Sequence, residues 1–265
     1  MTSLPIEERD LAIGSTQIKC RIVGLLTPDK PVLVFLHEGL GSITQWRDFP
    51  ERLSTATGFS ALVYDRTGYG RSSPQAHPWQ DDFLIHHAHA LPKILAALGI
   101  TKPILFGHSD GGTLALMVAS LYPDLPLAAI TEAAHVLIEP ITKQGLRSLR
   151  DKAGAEPDFC ARLLRHHPHA DPAFIIQWAD TWLRPSLADW TMRAMLPAIT
   201  CPLLALQGEQ DEHGSPAQLD IIVHDVSGPA TSRLIPDCGH VPHFDARDAV
   251  IHAAQAFLEN HAIKD

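Results

Sequence analysis

Short apolar runs alternate with longer amphipathic segments along most of the chain. The apolar runs predict strands, and the most continuous of them are typical of strands buried on both faces of a sheet. Strands are predicted at residues 11–13, 18–23, 31–36, 60–64, 104–106, 127–130, 203–207 and 232–235. Helices are predicted at residues 46–57, 78–98, 113–122, 216–225 and 246–261. Because strands and helices alternate, we expect an α/β fold with a mostly parallel sheet and helices on both of its faces.

The alternation is interrupted between residues 139 and 196, where helix-like pieces are separated by proline and glycine. We expect residues 139–196 to form a helical cap inserted into a core made of residues 1–138 and 197–265. The insertion follows a predicted strand, and open α/β sheets bind ligands beyond the carboxyl ends of their strands. Such a cap would cover a ligand site.

Composition narrows the possible classes of function. The chain has 265 residues, of which 45% are hydrophobic and 19% are charged, as is ordinary for a globular protein. The net charge of −9 argues against nucleic acid as a partner, since a nucleic-acid binder needs a basic face. No apolar run approaches the ~18 residues of a membrane-spanning helix, so no membrane partner is expected. The polar N-terminal residues lack the pattern of a signal peptide, which favours a cytoplasmic protein whose four cysteines are reduced.

The sixteen histidines are a high number, and six of them form two clusters. These are His86, His87 and His89 in one cluster, and His166, His167 and His169 in the other. Neither cluster has acidic or cysteine residues at the spacing of a known metal site, and no His-Glu-x-x-His sequence occurs. We therefore expect solvated histidines on helix surfaces, with no metal and no other cofactor.

The sequence Gly107-His108-Ser109-Asp110-Gly111 follows an apolar run and precedes a helix-like run. A serine between two spaced glycines on a strand-to-helix turn is typical of a nucleophile elbow. The glycines are needed because a Cβ atom at position 107 or 111 would crowd the crossing strand and helix. The five-residue pattern also occurs by chance in many proteins, so its meaning depends on the rest of the chain.

A serine hydroxyl needs a base to take its proton, and that base is usually a histidine oriented by a carboxylate. Asp211 and His240 each follow a predicted strand, in the order serine, acid, histidine that this type of fold requires. Glu209 and Asp237 are competing acids, and His243 is a competing base. We rank Asp211 and His240 first, partly because Asp237 is too close in sequence to orient His240 easily.

The reaction also needs hydrogen-bond donors for a negatively charged oxygen. Residues 37–42 follow a predicted strand and contain two glycines, whose backbone N–H groups can approach a substrate without a Cβ atom in the way. A plain tight turn is the alternative interpretation of this loop. The backbone N–H of Asp110, directly after the serine, would be a second donor.

In these features the chain resembles the α/β-hydrolases over essentially its whole length. Five landmarks occur in the order of that family: the loop at 37–42, the stretch DRTGYGRS at 65–72, the elbow, the acid loop, and Gly-His at 239–240. The resemblance implies an eight-stranded-type sheet with a helical cap. It also implies that residues 65–72 have a structural role in supporting the 37–42 loop.

The same resemblance assigns roles to the candidate residues. It implies a catalytic triad of Ser109, Asp211 and His240. It implies an oxyanion hole made by the N–H groups of Gly39 and Asp110, with Leu40 a less favoured donor.

Two departures from the family pattern introduce carboxylates. The early motif is usually His-Gly, whereas here it is His37-Glu38, and the residue after the nucleophile is often apolar, whereas here it is Asp110. A negative charge directed at an oxyanion would oppose catalysis. We expect each carboxylate to point away, to pair with a cation, or to contact a polar group of the substrate.

The predicted cap carries an aromatic stripe. Phe174, Trp178 and Trp182 recur every four residues and share one face of a helix. Core packing and pocket lining both fit this spacing, and in the second case the substrate has an apolar part. The candidate substrate-binding residues are Glu38, Leu40, Trp178 and Trp182.

These features favour a serine hydrolase that cleaves the carboxylic ester of a small molecule through an acyl-enzyme intermediate. Haloalkane dehalogenases and epoxide hydrolases use an aspartate nucleophile, which Ser109 argues against. Residues 37–41 lack the second glycine and the proline of the proline iminopeptidase motif, and Val241 replaces the tryptophan found in many hydrolases of ring-cleavage products. Hydrolysis of a C–C bond, a lactone or a thioester is an alternative, and so is a non-catalytic binding protein of this fold. The sequence predicts no oligomeric state.

Overall fold

The computed structural model describes residues 4–75 and 79–263, and within these ranges eight strands form one sheet. The strands are β1 (Ile6–Ile13), β2 (Thr16–Val23), β3 (Val32–Leu36), β4 (Ser60–Tyr64), β5 (Pro103–His108), β6 (Ala128–Glu132), β7 (Leu203–Gly208) and β8 (Ala230–Ile235). Their order across the sheet is β1-β2-β4-β3-β5-β6-β7-β8. β2 pairs antiparallel with β1 and with β4, and the other neighbouring pairs are parallel. The predicted mostly parallel sheet is therefore confirmed.

Helices lie on both faces of this sheet: α1 (Phe49–Thr57), α2 (Phe83–Ala97), α3 (Asp110–Leu121), α7 (Ala217–Asp225), α8 (Pro242–Asp245) and α9 (Arg247–Asn260). Three further helices, α4 (Pro140–Ala155), α5 (Pro157–Leu164) and α6 (Ala173–Trp182), lie between β6 and β7 in the chain. Successive side chains of β3 enter two separate cores, because side chains alternate between the faces of a sheet. Val34 and Leu36 join the core under α2, α3 and α7, whereas Leu33 and Phe35 join the core under α1 and α9. Across the described ranges, no helix is both long and apolar enough to cross a bilayer.

Some predicted bounds differ from the observed ones. The predicted helix 46–57 is divided: a 3₁₀ turn covers Ile43–Trp46, and α1 begins at Phe49 after Arg47 adopts a φ of 53°. α2 begins at Phe83 rather than at residue 78, and Pro78 lies outside the described residues. α3 begins three residues earlier than predicted, directly after Ser109. The short helix α8 was not predicted.

Residues 139–196 contain α4, α5 and α6 together with short 3₁₀ segments, and lie between β6 and β7. An isolated antiparallel bridge joins Leu137, just before this segment, to Thr191 near its end. His167 ties this segment to the rest of the chain, since its Nε2–H donates to Leu40 C=O at 2.8 Å and its Nδ1 accepts the Gly70 N–H at 2.9 Å. The segment is helical as predicted, and its division from the core as a cap stays a prediction.

The prediction of solvated histidines was wrong for His87 and His167, which are both buried. His87 is on the buried side of α2, where its ring lies 5.8 Å from the ring of Tyr69. His167 is buried because both of its ring nitrogens are used as hydrogen-bond partners for backbone groups. Burial lowers the pKa of His167 to about 4, which keeps this imidazole neutral. Among the described residues, no group of three or more His, Cys, Asp or Glu side chains could hold a metal ion.

Candidate active site

Ser109 lies on a sharp turn between β5 and α3. Its backbone has φ 53° and ψ −121°, a conformation that residues other than glycine rarely adopt. The Ser109 N–H donates to the carbonyl oxygen of Glu132 at 2.9 Å, which fixes the turn to β6. A Cβ atom at Gly107 would overlap the carbonyl of Gly111, and one at Gly111 would overlap the carbonyl of Leu36. The two glycines therefore allow the strand and the helix to approach closely enough for the elbow to form.

The structure brings Ser109, His240 and Asp211 into one hydrogen-bonded series. His240 Nε2 lies 3.0 Å from Ser109 Oγ, and His240 Nδ1 lies 2.8 Å from Asp211 Oδ1. With a proton on Nδ1 donated to the carboxylate, Nε2 is free to accept the hydroxyl proton of Ser109. This is the arrangement that activates a serine in hydrolases.

Asp211 is held by its surroundings in the ionised form. Its carboxylate accepts the backbone N–H of His213 at 2.8 Å and that of Gly214 at 3.3 Å, and it accepts Gln207 Nε2–H at 3.2 Å. Burial raises the pKa of Asp211, but the hydrogen bond and charge of His240, together with His213, outweigh burial and leave the pKa below its usual value. Asp211 is therefore a carboxylate at neutral pH.

The competing acids and the competing base lie elsewhere. Glu209 and Asp237 are exposed, and Asp237 lies 3.5 Å from Gln210 Nε2. His243 is buried, with its Nδ1 at 2.6 Å from a carboxylate oxygen of Glu132. Neither of the two acids nor His243 is part of the series that reaches Ser109.

The loop after β3 is held by the stretch 65–72. The Arg66 guanidinium donates to the carbonyl oxygens of His37 and Glu38, each at 2.8 Å. The Asp65 carboxylate accepts the backbone N–H of Ile43 at 2.7 Å, at the far end of the loop. These contacts agree with the supporting role expected for residues 65–72.

His37 is a further support of this loop. Its Nδ1–H donates to the Glu38 carbonyl at 2.8 Å, and its Nε2 accepts the Arg66 N–H at 3.1 Å. Burial and the charge of Arg66 keep the pKa of His37 well below its usual value. The ring is therefore neutral and acts as a rigid spacer between the loop and residue 66.

A cavity of about 150 Å³ adjoins Ser109. Eight of the residues predicted for the site line this cavity: Glu38, Gly39, Leu40, Ser109, Asp110, Trp178, Trp182 and His240. The ninth, Asp211, contacts His240 and does not line the cavity. Most of the remaining lining is apolar, including Ile138, Leu146 and Leu149 from the segment beyond β6. His135 and His213 also line the cavity, and sequence reasoning missed both because neither belongs to a recognisable motif.

The Asp110 carboxylate is bound by helix α6. Trp178 Nε1–H donates to Asp110 Oδ2 at 3.2 Å, and His135 Nε2 lies 3.8 Å from Oδ1. The Trp178 ring packs so closely against Gly39 that a Cβ atom there would overlap the indole. Asp110 is 1% exposed and lies in the first turn of α3, where the helix dipole favours a negative charge. The carboxylate is therefore satisfied by the insertion and by its own helix.

The Glu38 carboxylate faces His108, which sequence reasoning did not single out. Glu38 Oε2 lies 3.6 Å from His108 Nδ1, and Gln45 Nε2–H donates to Glu38 Oε1 at 3.3 Å. Burial raises the pKa of Glu38, but His108 outweighs it and lowers the pKa to about 2. Burial lowers the pKa of His108, but Glu38 outweighs that effect and the pKa is raised. The pair therefore favours an ionised Glu38 beside a protonated His108.

His108 also connects Glu38 to His240. Its Nε2–H donates to the backbone carbonyl of His240 at 2.8 Å. In the sequence, only the position of His108 directly before Ser109, at the end of β5, indicates that it lies near the site. That position does not predict which residues contact the His108 ring.

Comparisons with known proteins agree with this fold. A family model described as alpha/beta hydrolase fold matches residues 31–152. The chain therefore has the fold of the α/β-hydrolases, and its sequence is similar to that superfamily over the matched residues.

Particular relatives include hydrolases of different kinds. The human protein named serine hydrolase BPHL is 27% identical in an alignment that covers 76% of this chain and 70% of that protein. A proline iminopeptidase of Lactobacillus helveticus is 25% identical in an alignment that covers 91% of this chain and 94% of that protein. The crystal structure of the enol-lactonase from Burkholderia xenovorans LB400 is similar with a TM-score of 0.73 and 19% identity, covering 95% of this chain and 100% of that chain. At that identity the enol-lactonase shows a shared fold alone.

Proposed function

We propose that the protein is a serine hydrolase that cleaves the carboxylic ester of a small molecule through an acyl-enzyme intermediate. The observation that carries this proposal is the hydrogen-bonded series from Ser109 through His240 to Asp211, at the wall of an apolar cavity. Four unbridged cysteine thiols, all within the described residues, fit a reducing cytoplasm as the compartment.

In the first half-reaction, Ser109 Oγ attacks the carbonyl carbon of the ester while His240 Nε2 takes the hydroxyl proton. Asp211 accepts the Nδ1–H of His240 and stabilises the imidazolium that forms. The carbonyl oxygen becomes an oxyanion, which accepts the N–H groups of Gly39 and Asp110. His240 then gives its proton to the alcohol oxygen, the C–O bond breaks, and the acyl group stays on Ser109.

In the second half-reaction, water attacks the acyl carbon while His240 Nε2 takes a proton from it. The bond to Ser109 Oγ breaks, His240 returns the proton to Ser109, and the carboxylic acid leaves. The products are one alcohol and one acid, and the side chains regain their starting protonation states.

Two negative side chains close to an oxyanion hole need an explanation. Asp110 accepts the indole N–H of Trp178, and Glu38 faces the ring of His108. Each carboxylate therefore has a donor or a cation of its own, and its charge is balanced locally. This arrangement supports catalysis at the Gly39 and Asp110 N–H groups despite the unusual neighbours.

The cavity supports a short apolar acyl group. At about 150 Å³ it lies below the ~300–1,000 Å³ of sites for drug-sized ligands. Leu40, Leu146 and Leu149 are among its apolar lining residues, and Trp178 and Trp182 cover it from α6. The same groups can act on a lactone, a thioester, an amide or a C–C bond, so a panel of these substrates at equal concentration ranks the alternatives.

Replacing the serine tests the proposal. We expect wild type to hydrolyse p-nitrophenyl butyrate and Ser109→Ala to lose at least about 10³-fold in kcat/KM, because the nucleophile is gone. A serine-directed phosphonate is expected to add to Ser109 of the wild type, as read by mass spectrometry. Ser120→Ala is the matched control, since it makes the same change on α3 away from the cavity and is expected to keep wild-type activity.

Two results would contradict this assignment. One is a wild type with no turnover on the whole substrate panel and no labelling at position 109. The other is undiminished turnover by Ser109→Ala, which would place the chemistry on another residue.

A further inference from the structure

A second cavity, of about 360 Å³, adjoins the first. The two cavities share Glu38 and His240 in their walls, but Ser109 lines the first alone. The second cavity is lined by Arg47, Arg162, Arg165 and His166. Arg162 belongs to α5 and Arg165 follows it, whereas Arg47 comes from the loop before α1. Cationic side chains from two distant parts of the chain therefore meet beside the candidate catalytic histidine.

The three arginines differ from the paired arginines of this acidic protein. Arg52, Arg184 and Arg193 each lie within 4.0 Å of a carboxylate oxygen. Within residues 4–75 and 79–263, no such partner is found for the three arginines of the second cavity. In a chain of net charge −9, three cations without acidic partners around one cavity leave a local positive field.

Glu38 is the one carboxylate among the described residues that line the second cavity, and it is already engaged. Its Oε2 faces His108 at 3.6 Å and its Oε1 accepts the amide of Gln45 at 3.3 Å. Its charge is balanced at the boundary between the cavities. The guanidinium groups are therefore not neutralised from within the cavity wall.

Arg47 is held in place from two sides. Its backbone has φ 53° and ψ −124°, a conformation that is strained for a residue other than glycine. Its guanidinium lies 4.4 Å from the centre of the Phe244 ring, which fixes the plane of the charged group. Strain of this kind persists where the surrounding structure imposes it, and it is common at ligand sites.

His166 lies in the wall of the second cavity together with the three arginines. Its Nδ1 lies 2.7 Å from the Thr44 hydroxyl. Burial and the charge of Arg165 lower the pKa of His166, the charge of Glu38 raises it, and the charge of Arg47 lowers it, with a net lowering. A neutral His166 in the wall of this cavity can donate a hydrogen bond without adding charge.

The reaction geometry indicates which part of the substrate would reach this cavity. His240 must give its proton to the leaving alcohol oxygen, so the alcohol portion lies on the His240 side of the scissile bond. The second cavity is bounded by His240 and does not include Ser109. The acyl group has the apolar first cavity, which Ser109 lines.

We propose that the second cavity binds an anionic group, a carboxylate or a phosphate, carried by the alcohol portion of the substrate. A guanidinium presents paired N–H donors that match the oxygens of either group, which is why arginine is common at such sites. This inference rests on the proposed ester hydrolysis and adds the substrate class to it: an ester with a short apolar acyl group and an anionic alcohol.

Matched esters test the proposal. The substrates are the butyrate esters of 4-hydroxyphenylacetate and of its neutral amide, 4-hydroxyphenylacetamide. In the first, the benzene ring and a methylene group separate the carboxylate from the leaving oxygen. We expect wild-type kcat/KM to be at least tenfold higher for the carboxylate ester, and the ratio to fall in high salt because ions screen the attraction. The butyrate ester of 4-hydroxybenzylphosphonate reports whether a phosphate-like dianion is preferred over a carboxylate.

Arginine variants locate the effect. Arg47→Gln and Arg162→Gln are each expected to lower the carboxylate-to-amide ratio at least threefold, and the double variant to remove the preference. Arg150→Gln is the matched control, since Arg150 lies in α4, pairs with Asp151 and Asp180, and does not line the cavity. It is expected to keep both the ratio and the basal activity.

The outcomes separate the two proposals. If the neutral ester is hydrolysed but the ratio is near one, or the arginine variants leave the ratio intact, the anionic subsite is wrong and the ester hydrolase stands. A preference for mono-nitrophenyl glutarate over its amide, with no preference on the alcohol side, overturns the placement in the alcohol portion. If no ester is hydrolysed, the proposed ester hydrolysis is wrong, and calorimetric binding tests the anionic subsite by itself. The subsite is supported if free 4-hydroxyphenylacetate binds at least tenfold more tightly than 4-hydroxyphenylacetamide and the double variant loses this difference. The subsite is wrong if the two Kd values agree.

Discussion

Gly111 and Gly154 are both in helices, but they differ in the space around the Cα atom. A Cβ atom at Gly111 would overlap the Leu36 carbonyl beneath the elbow, whereas at Gly154 in α4 it would meet no atom within 4 Å. At the residue scale, the first glycine is required by close approach of two backbones and the second is not.

Substituting both glycines tests this difference. Gly111→Ala is expected to lower the free energy of unfolding by more than about 3 kcal/mol, since backbone must move to admit the methyl group. Gly154→Ala is expected to raise it by up to about 1 kcal/mol, because alanine favours a helix. Denaturant unfolding measures both, and equal values for the two variants would show that the close approach at the elbow is not needed.

The Glu38–His108 pair is a second feature of single residues. The pKa of Glu38 is lowered from 4.5 to about 2, so its stabilising effect is present above about pH 4.5 and is lost as the pH falls. The pKa of His108 is raised above 6.5, so its effect is present below pH 6.5 and is lost as the pH rises through the folded-state pKa. The pair therefore stabilises the fold most between about pH 4.5 and 6.5.

Glu38→Gln is expected to lower the pKa of His108, because burial is then opposed only by the charge of Glu132 and the hydrogen bond to the His240 carbonyl. NMR titration of the His108 ring measures this directly. The loss of unfolding free energy is expected to be largest near pH 5.5 and smaller at pH 8. Glu7→Gln, which alters an exposed ion pair with Arg9, serves as the control. An unchanged His108 titration in Glu38→Gln would refute the coupling.

At the scale of elements, the hydrogen bond from Trp178 to Asp110 joins α6 of the insertion to the first turn of α3. Trp182 lies one turn further along α6 and lines the same cavity, but its Nε1–H has no acceptor among the described residues. The same predicted aromatic stripe thus contains one tryptophan that binds the elbow and one that packs.

Trp178→Phe is expected to lower the free energy of unfolding by about 1.5–3 kcal/mol more than Trp182→Phe does, because it leaves a buried carboxylate without its donor. Both substitutions remove the same volume, and Trp182 is the more buried ring, so packing alone predicts the opposite order. Urea unfolding of the two variants decides between them. A larger loss in Trp182→Phe would mean that the Trp178 hydrogen bond contributes little.

Elements also differ in how well the sequence predicts their bounds. β4 lies inside the sheet and is observed as predicted, because a strand buried on both faces is apolar throughout. β1 is an edge strand with mostly exposed side chains, and only its last residues were predicted. Its length is set by hydrogen bonds to β2 from Ile6 to Ile13, which leave no hydrophobic pattern.

At the scale of the whole molecule, the reactivity of the four cysteines measures how much of the chain is folded. All are buried and unbridged, and they lie in separate parts of the chain within the described residues. Burial raises the pKa of the Cys20 thiol to about 12 and that of the Cys201 and Cys238 thiols to about 11. The thiolate, which is the reactive form, is therefore rare in the native protein.

Native protein is expected to react slowly with a disulfide reagent such as DTNB at pH 8, and unfolded protein to release four equivalents at once. The burst of released thiolate measures the difference, and Cys238→Ser identifies the contribution of the thiol next to the His240 loop. A fast equivalent in native wild type would mean that one of these thiols is more open than its burial indicates.

The sequence by itself determined the class of fold and the positions of the candidate catalytic groups. Ser109, Asp211 and His240 each follow a strand, and parallel strands bring their carboxyl ends to one edge, so local patterns were enough to bring these residues together. Their catalytic roles stay a prediction. Only the tertiary structure decided the partners of Asp110 and Glu38, and only it revealed the second cavity with its three arginines. The Asp110 contact and the second cavity depend on the packing of the helical insertion, and the Glu38 contact joins the loop after β3 to the end of β5. No local period of hydrophobic positions encodes such contacts between residues far apart in the chain.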